Sequence, residues 1–459
     1  MNLRDLVFTL VILGLLPVVW RRPFIGVLTF SWLAYMRPQD LTWGFARQQR
    51  WSFLVAAVTV AGYIASGKAR SYLPSLRSHA MVLLAVVVGI SALVGTPHDN
   101  EIQTRAQFNR YVEFVKIIGV ALFTTAVLVR TGQLRVLMWV IALSFGFYAV
   151  KVGLVGVLTF GGGEVLQGPG GMLEDNNAFS LALCMGLPLL LEIGRSEKSK
   201  VLRRGVFLMI PLSILTIIMT RSRGGFLSLA AVVAVMVWRS RNRTLAFAMA
   251  GVLGVTALLV VPDEYIDRIK SIRDYEQDGS AMGRIAAWKT AVNMATAKPL
   301  FGVGMNMFQR NYRQFASGAE HEGVRVAHNA YLQVWAEYGS IALCLYLFLI
   351  GATFWSLWRL RREARRHYYT SWIINYATMF ETTMVAFVTG STFLNRADFD
   401  LFYHLVAIVI AFEAIAWREM ASYAPRTVPG LSGDLVAHQR RGFDRLPRRG
   451  GFRPVPGRS

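Results

Sequence analysis

Cysteine is nearly absent. The 459 residues hold two, Cys184 and Cys344, both inside apolar runs. Two are too few for a disulfide framework and they lack metal-type spacing, so neither a stapled secreted scaffold nor a zinc module is expected. The seven histidines are scattered, with no pair four residues apart, and no metal or other cofactor is expected. Acid is also scarce: 27 Asp and Glu stand against 49 Lys and Arg, a formal charge of +22. No internal repeat and no phosphate-loop glycine fingerprint is visible. Over most of the chain, polar sequence itself is what is missing: 54% of residues are hydrophobic and the mean hydropathy is +0.41.

What is there instead is a series of apolar runs close to the roughly 20 residues that cross a bilayer. Thirteen are visible, from 6–20 and 24–36, through 111–129, 178–193 and 245–261, to 340–357, 372–388 and 401–416. The first two are short, so about 12 transmembrane helices are expected. Backbone in lipid must satisfy its own hydrogen bonds, and these runs are too long for barrel strands, so the fold class is an all-α polytopic membrane protein. The expected layout is a transmembrane bundle of about ten spans over 1–261 and a helical loop over 262–339 carrying the candidate catalytic residues. C-terminal transmembrane helices follow over 340–417, then a basic disordered tail over 418–459.

The surplus of positive charge could suggest nucleic acid, but its distribution does not. Arg and Lys cluster in short alternate connections, at 21–22, 68–77, 195–204, 239–243 and 359–366, and in the tail, while the 262–339 loop carries nine basic against nine acidic residues. That is the positive-inside pattern: membrane lipids are the partner, nucleic acid is not, and the neutral loop lies on the trans side. In a Gram-negative cell this is the periplasm, with the C-terminus in the cytoplasm. The first run lacks a small-residue cleavage site and reads as a retained anchor. The side of Met1 stays open.

The trans-side residues are the ones that could carry chemistry. In MTRSRGGF, Arg221 and Arg223 stand at a tight turn between two runs, beside Gly224 and Gly225. They can snorkel to the interface or grip phosphate oxygens bidentately. In GRIAAWKTA, Arg284 and Trp288 share a helical stripe with Ala291 and Ala295; an Arg there either faces solvent or binds an anion. The following KPLFGVGMNMF reads as a helix stop and a constrained loop. AHNAYLQVWAEYG reads as a helix from about Asn329 with a break at Gly339. It puts His328 at the start, either as a structural cap or as a base near neutral pH. Glu337 points away from His328 by helical spacing. Asp175, Asn176 and Asn177 fit a helix N-cap, and also contacts to sugar hydroxyls or the orienting of His328.

The RSRGG turn, the GRxxxW helix with its trailing PLFGVGMNMF, and HNxYLQxWAEYG, in this order over about residues 170–345, resemble the O-antigen ligase and O-antigen polymerase superfamily of bacterial envelope glycosyltransferases. Upstream, RRPFIGVLTFSWLAYMRPQDLTWGFA resembles the branch of O-glycosylation ligases associated with exosortase systems. The resemblance implies a membrane-embedded fold of glycosyltransferase C type in the bacterial inner membrane, with the active site facing the periplasm. It implies an undecaprenyl-pyrophosphate-linked glycan donor and metal-independent, inverting transfer to an acceptor hydroxyl. Arg221 and Arg284 would be pyrophosphate ligands, with Arg223 beside them, and His328 the activator of the acceptor. Asp175, Asn176, Asn177, Trp288 and Asn329 would contact sugar or acceptor. The acceptor could be lipid A-core, a growing lipid-linked glycan or a protein hydroxyl. A transporter of anionic lipid-linked glycans would use the same arginines without forming a bond.

Overall fold

Apolar sequence with few breakers folds here into helices whose hydroxyl side chains return their hydrogen bonds to their own backbone. Thr29, Ser31, Ser144, Thr216 and Thr353 each donate to the carbonyl four residues earlier, which satisfies a polar group without water. The computed structural model describes residues 2–67, 75–97, 101–159, 165, 167–240, 244, 251, 279–317, 323–366, 371–395 and 397–423. Within them run α1 (Leu3–Arg21), α2 (Pro23–Tyr35), α3 (Phe45–Gln48), α4 (Trp51–Ala65), α5 (Leu76–Val94), α6 (Glu101–Val127), α7 (Thr131–Leu158) and α8 (Asn176–Ser196). They continue with α9 (Lys200–Met219), α10 (Arg223–Trp238), α11 (Gly279–Ala297), α12 (Phe308–Phe315), α13 (Ala330–Ala364), α14 (Ser371–Ser391) and α15 (Asp400–Tyr423).

This is a helical multi-pass membrane protein. Seven of the described helices, α1, α5, α7, α8, α9, α13 and α15, are long and apolar enough to cross a bilayer, and α2, α4 and α10 are shorter apolar helices. The expected runs at 111–129 and 372–388 lie in α6 and α14, which are helical but not among the seven; α6 carries Glu101, Arg105, Arg110, Glu113 and Lys116. The run at 245–261 apart from residue 251, the loop's first segment to 278 and the tail from 424 lie outside the described residues. Residues 1–417 form one compact unit; 418–459 form another, described only as the end of α15.

α8 is the centre of the first unit. It is buried along almost its whole length and packs against α7, α9, α10 and α14. Close approach explains one glycine there: a Cβ on Gly225 would overlap Ser180 Oγ where α10 crosses α8.

The two ends of the bundle differ in character. At one, Arg77 and Arg359 flank Glu413, with Arg359 Nη2 at 2.7 Å, and Arg239 and Arg361 flank Glu381, with Arg239 Nη2 at 2.7 Å. The other end gathers residues 36–46, 168–177, 220–225 and 300–308. Asp5 in the first turn of α1 accepts hydrogen bonds from the backbone N–H of Gly44 (3.2 Å) and Ala46 (3.1 Å). The carbonyl of Met36, at the end of α2, accepts one from Tyr148 Oη of α7 (2.6 Å). α1 therefore starts at this second end and α2 returns to it, which places Arg21 and Arg22 with the other basic connections.

The break expected at Gly339 is present. Its φ of 83° kinks α13, and the loop of KPLFGVGMNMF fills the gap: Val303 N donates to Ala336 O (2.9 Å), Gly304 N to Glu337 O (3.0 Å), and Ser340 N to Pro299 O (2.7 Å). Carbonyls and an amide freed by the kink thus regain partners, and the constrained loop is the plug of a broken helix.

Candidate functional site

Two helix starts lie side by side at the second end. Asp175 caps α8, its Oδ1 accepting from the backbone N–H of Asn177 (2.9 Å). Ser222 caps α10, its Oγ accepting from Gly225 N (3.0 Å). Cross-links join them: Ser222 Oγ donates to Asn177 Oδ1 (2.7 Å) and Asn176 Nδ2 to Thr220 O (3.0 Å). The MTRSRGGF turn and the Asp175–Asn177 cluster are therefore one structure. Paired helix N-termini favour anions, and Arg221 and Arg223, both half-buried, stand on them.

α11 approaches with Arg284. Its Ala287, Ala291 and Met294 pack into a core with Val303, Met307, Phe308, Tyr312, Ala327 and Ala336. Trp288, one turn beyond Arg284, donates from Nε1 to Ala327 O (2.9 Å), so the indole pins the residue immediately before His328. Asn329 caps α13, with Oδ1 accepting from Tyr331 N and Leu332 N (3.0 Å each). His328 sits between pin and cap in a left-handed backbone, φ 44°. Burial and the Arg284 guanidinium lower its proton affinity below that of an ordinary histidine, and Asp175 opposes them. Arg284, His328 and Asp175, distant in sequence, are thus within electrostatic reach of one another, and the imidazole is poised neutral near pH 7.

The site residues read from the sequence are brought to one end, with roles that differ. Asp175 and Asn329 spend their oxygens on helix caps, Asn176 and Asn177 bridge α8 to the α9–α10 turn, and Trp288 holds the backbone before His328. Glu337 turns away from His328: its carboxylate accepts from Phe308 N (3.1 Å) and Gln333 Nε2 (3.1 Å). Two arginines escaped the sequence reading. Arg325 lies against Gly283, where a Cβ would overlap its guanidinium. Arg37 lies against Gly170 and Gly171. Its only sequence signal is an Arg before Pro38 and three residues before Asp40.

The fold and this end of it define a multi-pass helical membrane protein with a basic, histidine-bearing cluster at the mouth of its bundle. Residues 207–347 match the family model described as O-Antigen ligase, and residues 3–193 match one described as a family of unknown function (DUF5935). The match over residues 207–347 supports membership of the O-antigen ligase superfamily, glycosyltransferase-like ligases and polymerases whose substrates are in general a lipid-linked glycan and an acceptor. No curated protein matches it.

Proposed function

We propose that the chain is an O-antigen ligase, which transfers a glycan from undecaprenyl pyrophosphate to a hydroxyl of lipid A-core oligosaccharide on the periplasmic face of the inner membrane. The convergence of Arg284, His328 and Asp175 beside the paired starts of α8 and α10 carries this reading. Arg221 and Arg284, with Arg223, hold the pyrophosphate through charge-assisted hydrogen bonds. Neutral His328 takes the proton of the acceptor hydroxyl as its oxygen attacks the anomeric carbon from the face opposite the leaving group. The bond from that carbon to the pyrophosphate oxygen breaks, its electron pair leaves with the lipid pyrophosphate, and the anomeric configuration inverts. Guanidiniums fixed in a low-dielectric boundary neutralise the developing charge without a metal.

The charge pattern supports the same orientation: the site end is the neutral, trans side, and the end with the Arg-Glu-Arg clusters is cytoplasmic, as is the C-terminus. The test uses the full chain in detergent, supplied with an undecaprenyl-pyrophosphate glycan and lipid A-core. Inverted product that disappears with His328→Ala is the expected result. Transfer only onto a second lipid-linked glycan would make the protein a polymerase, and transfer onto a protein hydroxyl a protein O-glycosylation ligase. Donor binding without any bond formation, in a protein that moves the donor across vesicles, would make it a transporter and sink the reading.

A further inference from the structure

Arg37 is placed by more contacts than an interfacial arginine needs. A residue before proline is pushed toward extended backbone, yet Arg37, before Pro38, is left-handed with φ 50°. The conformation is held from both sides: the neighbouring Met36 carbonyl accepts from Tyr148 Oη, and the Arg37 carbonyl accepts from Asp40 N (3.0 Å). The side chain is then drawn onto Asp40, Nε to Oδ2 at 2.5 Å. So fixed, the guanidinium lies on Gly170 and Gly171, where a Cβ on Gly171 would overlap Nη1. Gly171 is itself left-handed, φ 57°, so both its backbone and its lack of side chain are used.

The segment that rests on Arg37 is stiff and ends at the site. Gly168 N donates to Glu174 O (2.8 Å), Leu173 N to Gly170 O (3.0 Å), and Gln167 bridges to Asp175. Backbone hydrogen bonds thus connect the Gly170–Gly171 tip to Asp175, the cap of α8. Among the described residues, four non-glycines are left-handed: Arg37, Arg221, Asn306 and His328. Three of these touch or flank the 168–177 segment or its partners, and strained backbone of this kind collects where a side chain must be aimed.

We propose that Arg37, locked by Asp40, is a positioning residue: it clamps the Gly170–Gly171 tip and thereby fixes Asp175 opposite His328. The inference rests on the reading of His328 as the residue that activates the acceptor. Among the described residues, the charged groups that act on His328 are Arg284 from α11 and Asp175 from the segment before α8, and the clamp governs the second.

The test reads His328 directly. The full-length protein in detergent is treated with diethyl pyrocarbonate, which carbethoxylates neutral imidazole, and modification of His328 is followed by mass spectrometry against pH. Loss of the Asp175 attraction destabilises the imidazolium, so Asp175→Asn moves the midpoint to lower pH. Arg37→Ala is expected to move it the same way, and the double variant no further than Asp175→Asn alone. Gly171→Ala, which puts a methyl where the guanidinium lies, is expected to act like Arg37→Ala. It replaces that variant if Arg37→Ala does not accumulate. A midpoint unmoved by Arg37→Ala and Gly171→Ala but moved by Asp175→Asn overturns the clamp, even if both variants melt earlier. A midpoint unmoved by Asp175→Asn overturns it as well. No donor or acceptor is needed, so a protein that titrates as expected and transfers no glycan refutes the ligase reading and leaves the clamp standing.

Discussion

In the proposed reaction His328 is the base, and its surroundings keep it neutral. Burial and Arg284 lower its proton affinity more than Asp175 restores it, so the neutral form that can accept a proton is populated from below neutrality. Transfer is therefore expected to rise with pH through a midpoint below that of a free histidine and then level off; a kcat/KM profile on the purified chain checks the sign. A bell or rise centred well above the free-histidine value would contradict it. His328→Ala is expected to lose on the order of 10²-fold or more in kcat. Arg284→Ala is expected to lose a comparable factor and to weaken binding of a pyrophosphate-bearing donor. Arg284→Ala with both quantities intact would remove it from the site. The Arg, Trp and His of this site were legible as residue types on helical spacing. The left-handed backbones of Arg37, Arg221 and His328 were not, because a non-glycine φ is imposed by packing from elsewhere in the fold.

Elements bring these residues together, and two glycines decide whether they can. Gly339 has a φ of 83° and would meet Leu300 O with any Cβ, so Gly339→Ala strains the backbone and expels the 299–304 loop. A loss of about 1–3 kcal/mol from conformation alone is expected, read as a lower melting temperature in detergent. Gly225→Ala is expected to cost about 1–3 kcal/mol by overpacking α10 against Ser180, and to disturb the Ser222 cap one turn away. The helix break at Gly339 could be read from the sequence, since glycine after an apolar helix is a stop signal. That the preceding PLFGVG segment is its plug could not, because the pairing joins carbonyls and amides some 35 residues apart. The N-cap reading of Asp175 is what the structure shows, and its effect on the proton affinity of His328 leaves the functional reading as part of the proposal.

At the scale of the whole molecule, the contacts of Asp5 and Met36 fix what hydropathy left open. With α1 starting at the site end, Trp43→Cys, on an exposed aromatic in the 36–46 segment, and Ser317→Cys, after α12, are expected to react with an impermeant maleimide from the same side of the membrane. Ser199→Cys, in the α8–α9 turn, is expected to react from the other, all in a Cys344→Ser background. Labelling of Trp43→Cys and Ser199→Cys from one side would break the arrangement. Charge asymmetry yields an expected sidedness for the later loops, whereas the short first runs carried too little apolar length to fix their parity.

The candidate site draws on two matched segments of the sequence. Arg221, Arg284 and His328 fall in the segment matched as O-Antigen ligase, while Asp175, Asn176 and Asn177, with Arg37, fall in the segment of unknown function. Hydrogen bonds from Ser222 to Asn177 and from Asn176 to Thr220 cross that seam. The two halves are consequently not interchangeable modules. A chimera joined between α8 and α9, with the first half from one relative and the second from another, is expected to lose these two hydrogen bonds unless both sides match, and transfer with them if the proposed site is right. Inheritance in this lineage should therefore act on the pair, with substitutions around 168–177 tracking those around 220–225.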